Sequence, residues 1–372
     1  MIVSLLSENL QKKLLFVSHA ISNRSQLPVL LNFLIEAKDG SLNISATDLE
    51  IGIKVEIPAS VKEEGSTTIP AKTFTELMSV VPPGKISLTK KEGGLELLGE
   101  KIKTIFQTTP PDDFPKLYEQ KGKEILKIKK EGIDKELQRI VFASSQDSGR
   151  PALSGVLIKE EKEGFLLVAT DGYRLSLKKL LQKNNQKAGE NISIIVPSRV
   201  VRELIFMAKE EGEVVAFVSK ESNQIIFSQN GTTLIGRLIE AEFPAYEKII
   251  PTDFSTKTVF DKEQMQKAVK ACYVFAKETA NIVKLSIGKE KILVSSNTPS
   301  VGENTIEVEA KTAGEENEIA FNARYLLELF LNTNDEAMSF EMSGPLNPGV
   351  FRPINDPSFM HLIMPIRVQV ES

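Results

Sequence analysis

The chain repeats itself three times, and a chain built that way folds as copies of one unit rather than around one large core. LPVLLNFLIEA (27 to 37) matches RPALSGVLIKE (150 to 160) at an offset of 123, pairing Pro28 with Pro151 and Leu34 with Leu157. The same offset pairs Ala46, Thr47 and Asp48 with Ala169, Thr170 and Asp171. IPAKTFTELMSVV (69 to 81), VPSRVVRELIFMA (196 to 208) and FNARYLLELFLNT (321 to 333) align on Glu76, Glu203 and Glu328, each followed by leucine. DDFPKL (112 to 117) pairs with AEFPAY (241 to 246). Three copies in 372 residues predict domains over 1–123, 124–252 and 253–372. Linkers are expected near Gln120 to Glu124 and in the PTDFS stretch at 251 to 255.

Each copy has the same order: an amphipathic helix, strands, a second short helix, more strands. The opening helices are read at 8 to 21, 134 to 145 and 261 to 277 from apolar residues at three-to-four spacing. Proline near the start of the second helix in two copies fits, because a first-turn residue needs no N–H donor. The stretch 212 to 239 alternates apolar and polar residues around Asn230-Gly231, the pattern of an antiparallel hairpin. The fold class predicted is α+β, with two helices per repeat on antiparallel sheet.

Catalytic chemistry is hard to find. Two histidines, His19 and His361, and a single cysteine, Cys272, form no cluster at metal-ligand spacing and allow no internal disulfide. Cys272 in AVKACYVF reads as a packed helix position. Gly94-x4-Gly99-Glu100-Lys101 misses the phosphate-loop pattern, because its lysine is displaced and no Ser or Thr follows; a strand bounded by turns explains it. Asp48 and Asp171 sit at the same place in two repeats, which favours turn or cap duty over paired acid–base work. No cofactor is implied. Residues 1 to 10 lack a basic n-region and a cleavage site, so a cytoplasmic protein is expected, with no membrane partner.

A-T-D-G-Y-R-L (169 to 175), E-F-P-A-Y-E-K-I-I-P (242 to 251) and M-P-I-R-V (364 to 368), in this order within a threefold repeat, resemble the bacterial DNA sliding-clamp family, the beta subunit of DNA polymerase III. The resemblance implies a DNA-clamp fold of three repeated domains, closing as a head-to-tail homodimer into a six-domain ring. It also implies a non-catalytic processivity factor that encircles double-stranded DNA without sequence preference, in the cytoplasm at the nucleoid. Expected partners are the replicative polymerase alpha subunit, the clamp loader and other proteins carrying a clamp-binding motif.

Carried over residue by residue, the resemblance implies a peptide pocket from Leu153, Thr170, Gly172, Tyr173, Arg174, Leu175, Pro244, Lys248, Ile249, Leu346, Leu362, Met364, Pro365, Ile366, Arg367 and Val368, with Asn322 and Tyr325 at its edge. Arg174 and Arg367 are expected to bury their stems and keep their heads hydrated. The dimer seam is expected at Phe106, Val274 and Phe275. Tyr173 stands where the family commonly has His, Lys248 where it has Arg, and Gln369 to Ser372 extend past its usual end, which bears on partner preference.

The net charge of -4 argues against bulk electrostatic grip on nucleic acid. Six helical segments, 7–26, 70–82, 132–146, 197–211, 261–281 and 321–331, nevertheless carry 14 Lys or Arg against 11 Asp or Glu, so positive charge is modestly concentrated there. Arg24, Arg139, Arg199, Arg202, Lys267, Lys270 and Lys277 are the candidates for phosphate contacts, each reading equally as a solvated helix face. The competing reading is a repeat-built peptide-binding scaffold unrelated to DNA. A hydrolase using Asp171 comes third.

Overall fold

A computed structural model describes residues 1–22, 27–117, 122–128, 132–147, 149–181, 192–219, 221–278 and 280–367. Arg24, Val368 and the Gln369 to Ser372 extension lie outside the described residues. Six helices occur among them: α1 (Ser7–Ser18), α2 (Ala71–Val80), α3 (Ile133–Val141), α4 (Ser198–Met207), α5 (Lys262–Ala276) and α6 (Ala323–Leu331). The spacing seen in the sequence is the spacing that is buried. Leu10, Leu14 and Val17 of α1, and Met265, Val269 and Cys272 of α5, are at most 1% exposed. Burying each large side chain contributes roughly 1.5 to 3 kcal/mol. Two starts are fixed by side-chain caps: Asp261 accepts from the Gln264 amide at 2.8 Å, and Asn322 from the Arg324 amide at 3.0 Å. Asn230 and Gly231, both at positive φ (44° and 73°), turn the hairpin between Gln224–Gln229 and Thr232–Arg237.

The described residues form two compact units, Met1–Ile133 with Arg202–Leu238, and Asp134–Val201 with Ile239–Ser372, so the division runs through the second repeat. The first unit holds a five-stranded antiparallel sheet in the order Ser60–Glu63, Ile2–Leu6, Lys85–Lys91, Gly94–Leu98, Lys103–Phe106. It also holds an eight-stranded sheet, in the order Lys123–Ile128, Val214–Ser219, Gln224–Gln229, Thr232–Arg237, Ile51–Pro58, Ser41–Thr47, Asn32–Lys38, Gly65–Pro70. Its first four strands come from the second repeat and its last four from the first. The linker expected at Gln120 to Glu124 is therefore shorter, because Lys123 and Glu124 already pair with Val218 and Phe217.

The second unit repeats this arrangement in a twelve-stranded sheet. Ser193–Pro197, Gly155–Glu161, Gly164–Thr170 and Arg174–Leu181 lead into Phe359–Ile363, Gly349–Pro353, Ala337–Met342, Thr256–Asp261, Gly302–Gly314, Lys291–Thr298, Ile282–Ile287 and Asn317–Asn322. Two ladders join consecutive repeats in the same way: Gly52 opposite Ile235 in the first unit, and Leu175 opposite Leu362 in the second. Among the described residues, two comparable edges are left over. Lys103–Phe106 ends its sheet, and Gly302 to Glu309 pair on one side only, with Lys291 to Thr298.

Candidate functional site

The site begins in a five-residue turn. Thr170 donates its hydroxyl to the Arg174 carbonyl at 2.6 Å and accepts from the Gly172 amide at 3.0 Å. Asp171 Oδ1 accepts from the amides of Tyr173 (2.9 Å) and Arg174 (3.0 Å), a side-chain-closed turn of the kind Asp favours. Gly172, at φ 92°, takes the left-handed position that a Cβ disfavours. The carboxylate proposed from the sequence as turn duty is doing that. The first repeat builds the same turn from Thr47 and Asp48, with Leu49 at φ 78° in place of the glycine and Ile51 in place of Arg174.

The end of the chain closes on this turn. The Met364 amide donates to the Tyr173 carbonyl at 2.8 Å, and the Ile366 amide to the Ala320 carbonyl at 2.8 Å, so residues 364 to 366 run as a wall beside the turn. Leu175 and Leu362 lie opposite each other and are fully buried with Leu157, Val168, Ile195, Tyr246 and Val350, while Met364 packs half-buried against this cluster. These two leucines form a floor rather than a solvent-facing wall. Leu153 is half-buried in the 3-10 turn Pro151–Ser154, whose other members include Ala152, packed on the same cluster. Tyr246 anchors the turn Tyr246–Ile249, leaving Lys248 and Ile249 exposed; Pro244, Leu346 and Arg367 are exposed too. Pro365 and Ile366 are half-buried, and Tyr173 is 57% exposed. Asn322 and Tyr325 are half-buried at the start of α6.

Arg174 departs from expectation. Its head is not hydrated: the residue is 7% exposed, with Nε on Asp171 at 3.0 Å, Nη1 on Glu328 at 2.6 Å and Nη2 on the Phe142 carbonyl at 3.0 Å. The guanidinium also lies 4.7 Å from the centre of the Tyr325 ring and 5.3 Å from that of Phe142. Burial raises the Tyr325 hydroxyl's pKa, as does the Asp171 charge, while Arg174 opposes them. Behind the turn, His361 is wholly buried, its Nδ1 2.7 Å from the Ser176 hydroxyl and its ring stacked on Phe142. Burial, and then the positive charge of Arg174, hold its pKa well below the ordinary imidazole range. Sequence reasoning missed Glu328, Phe142 and Tyr246 as members of this site; the recurrence of Glu76, Glu203 and Glu328 was the available signal. What is assembled is a buried apolar cluster flanked by the 170–174 turn and by residues 364 to 366.

Models of the DNA polymerase III beta subunit match along nearly all of the chain: its N-terminal domain over residues 1–118, its central domain over 127–245 and its C-terminal domain over 247–367. The chain belongs to the DNA polymerase III beta subunit family. The beta sliding clamp of Synechococcus elongatus is 29% identical over 367 residues, covering 97% of each chain. That of Staphylococcus aureus is 27% identical over 360 residues, covering 94% of each. Among solved structures, the Thermotoga maritima beta subunit matches with a TM-score of 0.91 at 25% identity, over 99% of this chain and 100% of that one. The Pseudomonas aeruginosa beta subunit matches with a TM-score of 0.93 at 25% identity, over the same shares.

The basic candidates chosen from the helical segments, and the seam positions that the resemblance implied, are scattered over the helices and sheet edges. Arg139 requires a correction as a phosphate contact. It is 8% exposed, its guanidinium bound by Asp335 at 2.5 Å and Asp356 at 2.8 Å, so its charge is spent inside the second unit. Lys178 joins the same group through Asp356 at 2.7 Å and Glu136 at 2.8 Å. Burial opposes ionisation of Asp356, but the hydrogen bonds from Lys178 and Ser358 and the charge of Arg139 outweigh it and lower its pKa. Arg202, Lys270 and Lys277 are exposed, Arg199 is half-buried, and Lys267 pairs with Glu263 at 2.6 Å on the surface of α5. At the expected seam, Val274 is 57% exposed and Phe275 half-buried. Phe106 is buried edge-on against Phe74, ring centres 5.3 Å apart, and its strand exposes Ile105 instead. Cys272 is buried, its thiol 3.3 Å from the Val294 carbonyl and raised in pKa by burial, which a hydrogen bond with Ser296 partly offsets. No helix among the described residues is long and apolar enough to cross a membrane.

Proposed function

We propose that this chain is a sliding clamp: three domains over 1–123, 124–252 and 253–372, two copies joined head to tail as a closed ring around duplex DNA, acting as a non-catalytic processivity factor. The observation that carries the reading is the pair of left-over strand edges. Both in-chain joints run a last strand of one repeat along a strand of the repeat before it, and Lys103–Phe106 and Gly302–Glu309 are the same two roles without partners. A contact between unlike surfaces either closes or propagates, and three domains per chain let two chains close. Transferring the Gly52–Ile235 register sets Phe106 of one copy opposite Gly302 of the other, a glycine at which an added Cβ would meet the Phe275 ring at 4.0 Å. Lys101 then stands opposite Glu307 and Lys103 diagonal to Glu303 and Glu307, opposite charges that would share their in-chain partners, Glu96 on Lys103 and Lys291 on Glu307. A ring holds DNA by topology, so Arg199, Arg202, Lys270 and Lys277 need supply only weak, salt-dependent phosphate contacts.

The expected particle mass is twice 41.2 kDa, falling to one chain in Ile105→Asp or Phe275→Asp. Loaded onto nicked circular DNA, the clamp should stay bound through gel filtration and run off once the DNA is linearised. Equal retention on circular and linear DNA would mean a conventional DNA-binding protein or a scaffold unrelated to DNA.

The Met364 cleft is proposed as the docking site for the clamp-binding motif of the polymerase alpha subunit, clamp loader and other partners. A fluorescent Gln-Leu-x-Leu-Phe type peptide should bind the wild type, and Met364→Ala should cost roughly 1 to 3 kcal/mol of that affinity. Equal binding by wild type, Met364→Ala and a chain ended after Met364 would place the pocket elsewhere.

A further inference from the structure

We infer that Glu328 is a positioning residue of the peptide cleft: through Arg174 it fixes the 170–174 turn to helix α6, so that the lip of the cleft is set by a residue lying outside it. The inference rests on the peptide-binding reading above and adds to it a group that would not touch the peptide. The internal repeat provides the control. The first repeat closes the same turn with the same four hydrogen bonds and carries Ile51, buried, where the second carries Arg174. The turn therefore does not need an arginine to form. What Arg174 adds is reach: it spans from Asp171, whose other oxygen holds the amides of Tyr173 and Arg174, to Glu328 on α6 and to the carbonyl of Phe142 just beyond α3.

A buried guanidinium needs acceptors, and here each of its three nitrogens has one, from three separate segments. Removing Glu328 withdraws the one charged acceptor on α6 and leaves the head held by Asp171 and the Phe142 carbonyl, neither of which belongs to α6. Tyr325, one turn before Glu328, stacks on the same guanidinium, so α6 holds the head from two sides. The aligned glutamate of the second repeat does comparable work: Glu203 takes the Nδ1 side of His19 at 2.8 Å in the first unit. The position thus reaches twice for a group of the preceding repeat. Only in the Glu328 copy does that group belong to the cleft turn.

The test uses the full chain and the fluorescent Gln-Leu-x-Leu-Phe type peptide with wild type, Glu328→Gln, Glu328→Leu, Arg174→Ile and the Arg174→Ile/Glu328→Leu double variant. Glu328→Leu should weaken binding about tenfold, the loss of one charge-assisted hydrogen bond. Glu328→Gln, which keeps an acceptor, should recover part of it, and the double variant should bind no worse than Arg174→Ile. Amide exchange provides a readout that general destabilisation does not mimic. Gly172, Tyr173 and Arg174 should exchange faster in Glu328→Leu, while Leu49, Glu50 and Ile51 of the matching turn stay at the wild-type rate. Wild-type affinity and unchanged 172–174 exchange in both Glu328 variants would overturn the inference, as would faster exchange at both turns alike. Failure of the wild type to bind the peptide would instead remove the reading on which it rests.

Discussion

Replacing Arg139 by alanine separates two roles that the residue cannot fill at once. Its guanidinium donates to Asp335 and Asp356 with only 9% of the side chain exposed, and the two carboxylates are 15% and 19% exposed. Breaking a buried pair typically costs about 3 to 5 kcal/mol, chiefly because the surviving charge is left without compensation. Lys178 still holds Asp356 at 2.7 Å, and both carboxylates keep some access to water, so we expect roughly 2 to 4 kcal/mol. Lost stacking on the Phe359 ring, 5.7 Å from the guanidinium, falls within that range. The measurement is urea unfolding of wild type and Arg139→Ala, with amide exchange over α3 and over Phe359–Ile363 to assign the transition to the second unit. Adding Asp335→Asn should return part of the loss by removing an orphaned charge. DNA retention at a temperature where both proteins are folded should be unchanged. A stability change under about 0.5 kcal/mol together with weakened, salt-dependent DNA binding would refute the argument and return Arg139 to the phosphate contacts.

His361 is neutral in the fold, with its pKa held below that of the unfolded chain, so the unfolded state takes up a proton first as pH falls below about 6.5. Wild-type stability should then fall more steeply than that of His361→Asn, by up to about 1.4 kcal/mol per pH unit until the folded-state pKa is reached; parallel curves from pH 7.5 to 5.5 would contradict the assignment. Leu49 is 53% exposed at φ 78°, so Leu49→Gly exchanges about 1 to 2 kcal/mol of backbone strain for a smaller entropic cost. A melting temperature slightly above wild type is expected, and a clear fall would show that this leucine packs against something. The reciprocal change, Gly172→Ala, puts a Cβ at φ 92° with only Arg150 Nη1 nearby, at 3.5 Å, and should destabilise by about 1 kcal/mol through backbone strain alone. Thermal melts of the two variants should move in opposite directions.

Local features were legible from the sequence because their causes are local. The three-to-four spacing of Leu10, Leu14 and Val17 states which face of α1 is buried before any partner is known. Asp48 and Asp171 each accept from amides two and three residues on, and Asn230-Gly231 closes its hairpin within four residues, so these turns needed no distant information. The repeat itself, and with it the α+β class and the family, is a property of the string. Its arithmetic could not reveal that the second repeat divides its strands between two sheets, because strand pairing is set by which edges meet. Nor could it assign the charges. Arg139 reads as a surface cation until Asp335 and Asp356, 196 and 217 residues later, arrive beside it, and Arg174 as a hydrated head until Glu328, 154 residues on, takes it inside. Leu175 and Leu362 become a floor for the same reason, each covered by the other across a ladder joining two repeats. Sequence by itself determined what each segment could become; the fate of a charge or a leucine depended on desolvation by a distant segment, and only the tertiary structure decided that.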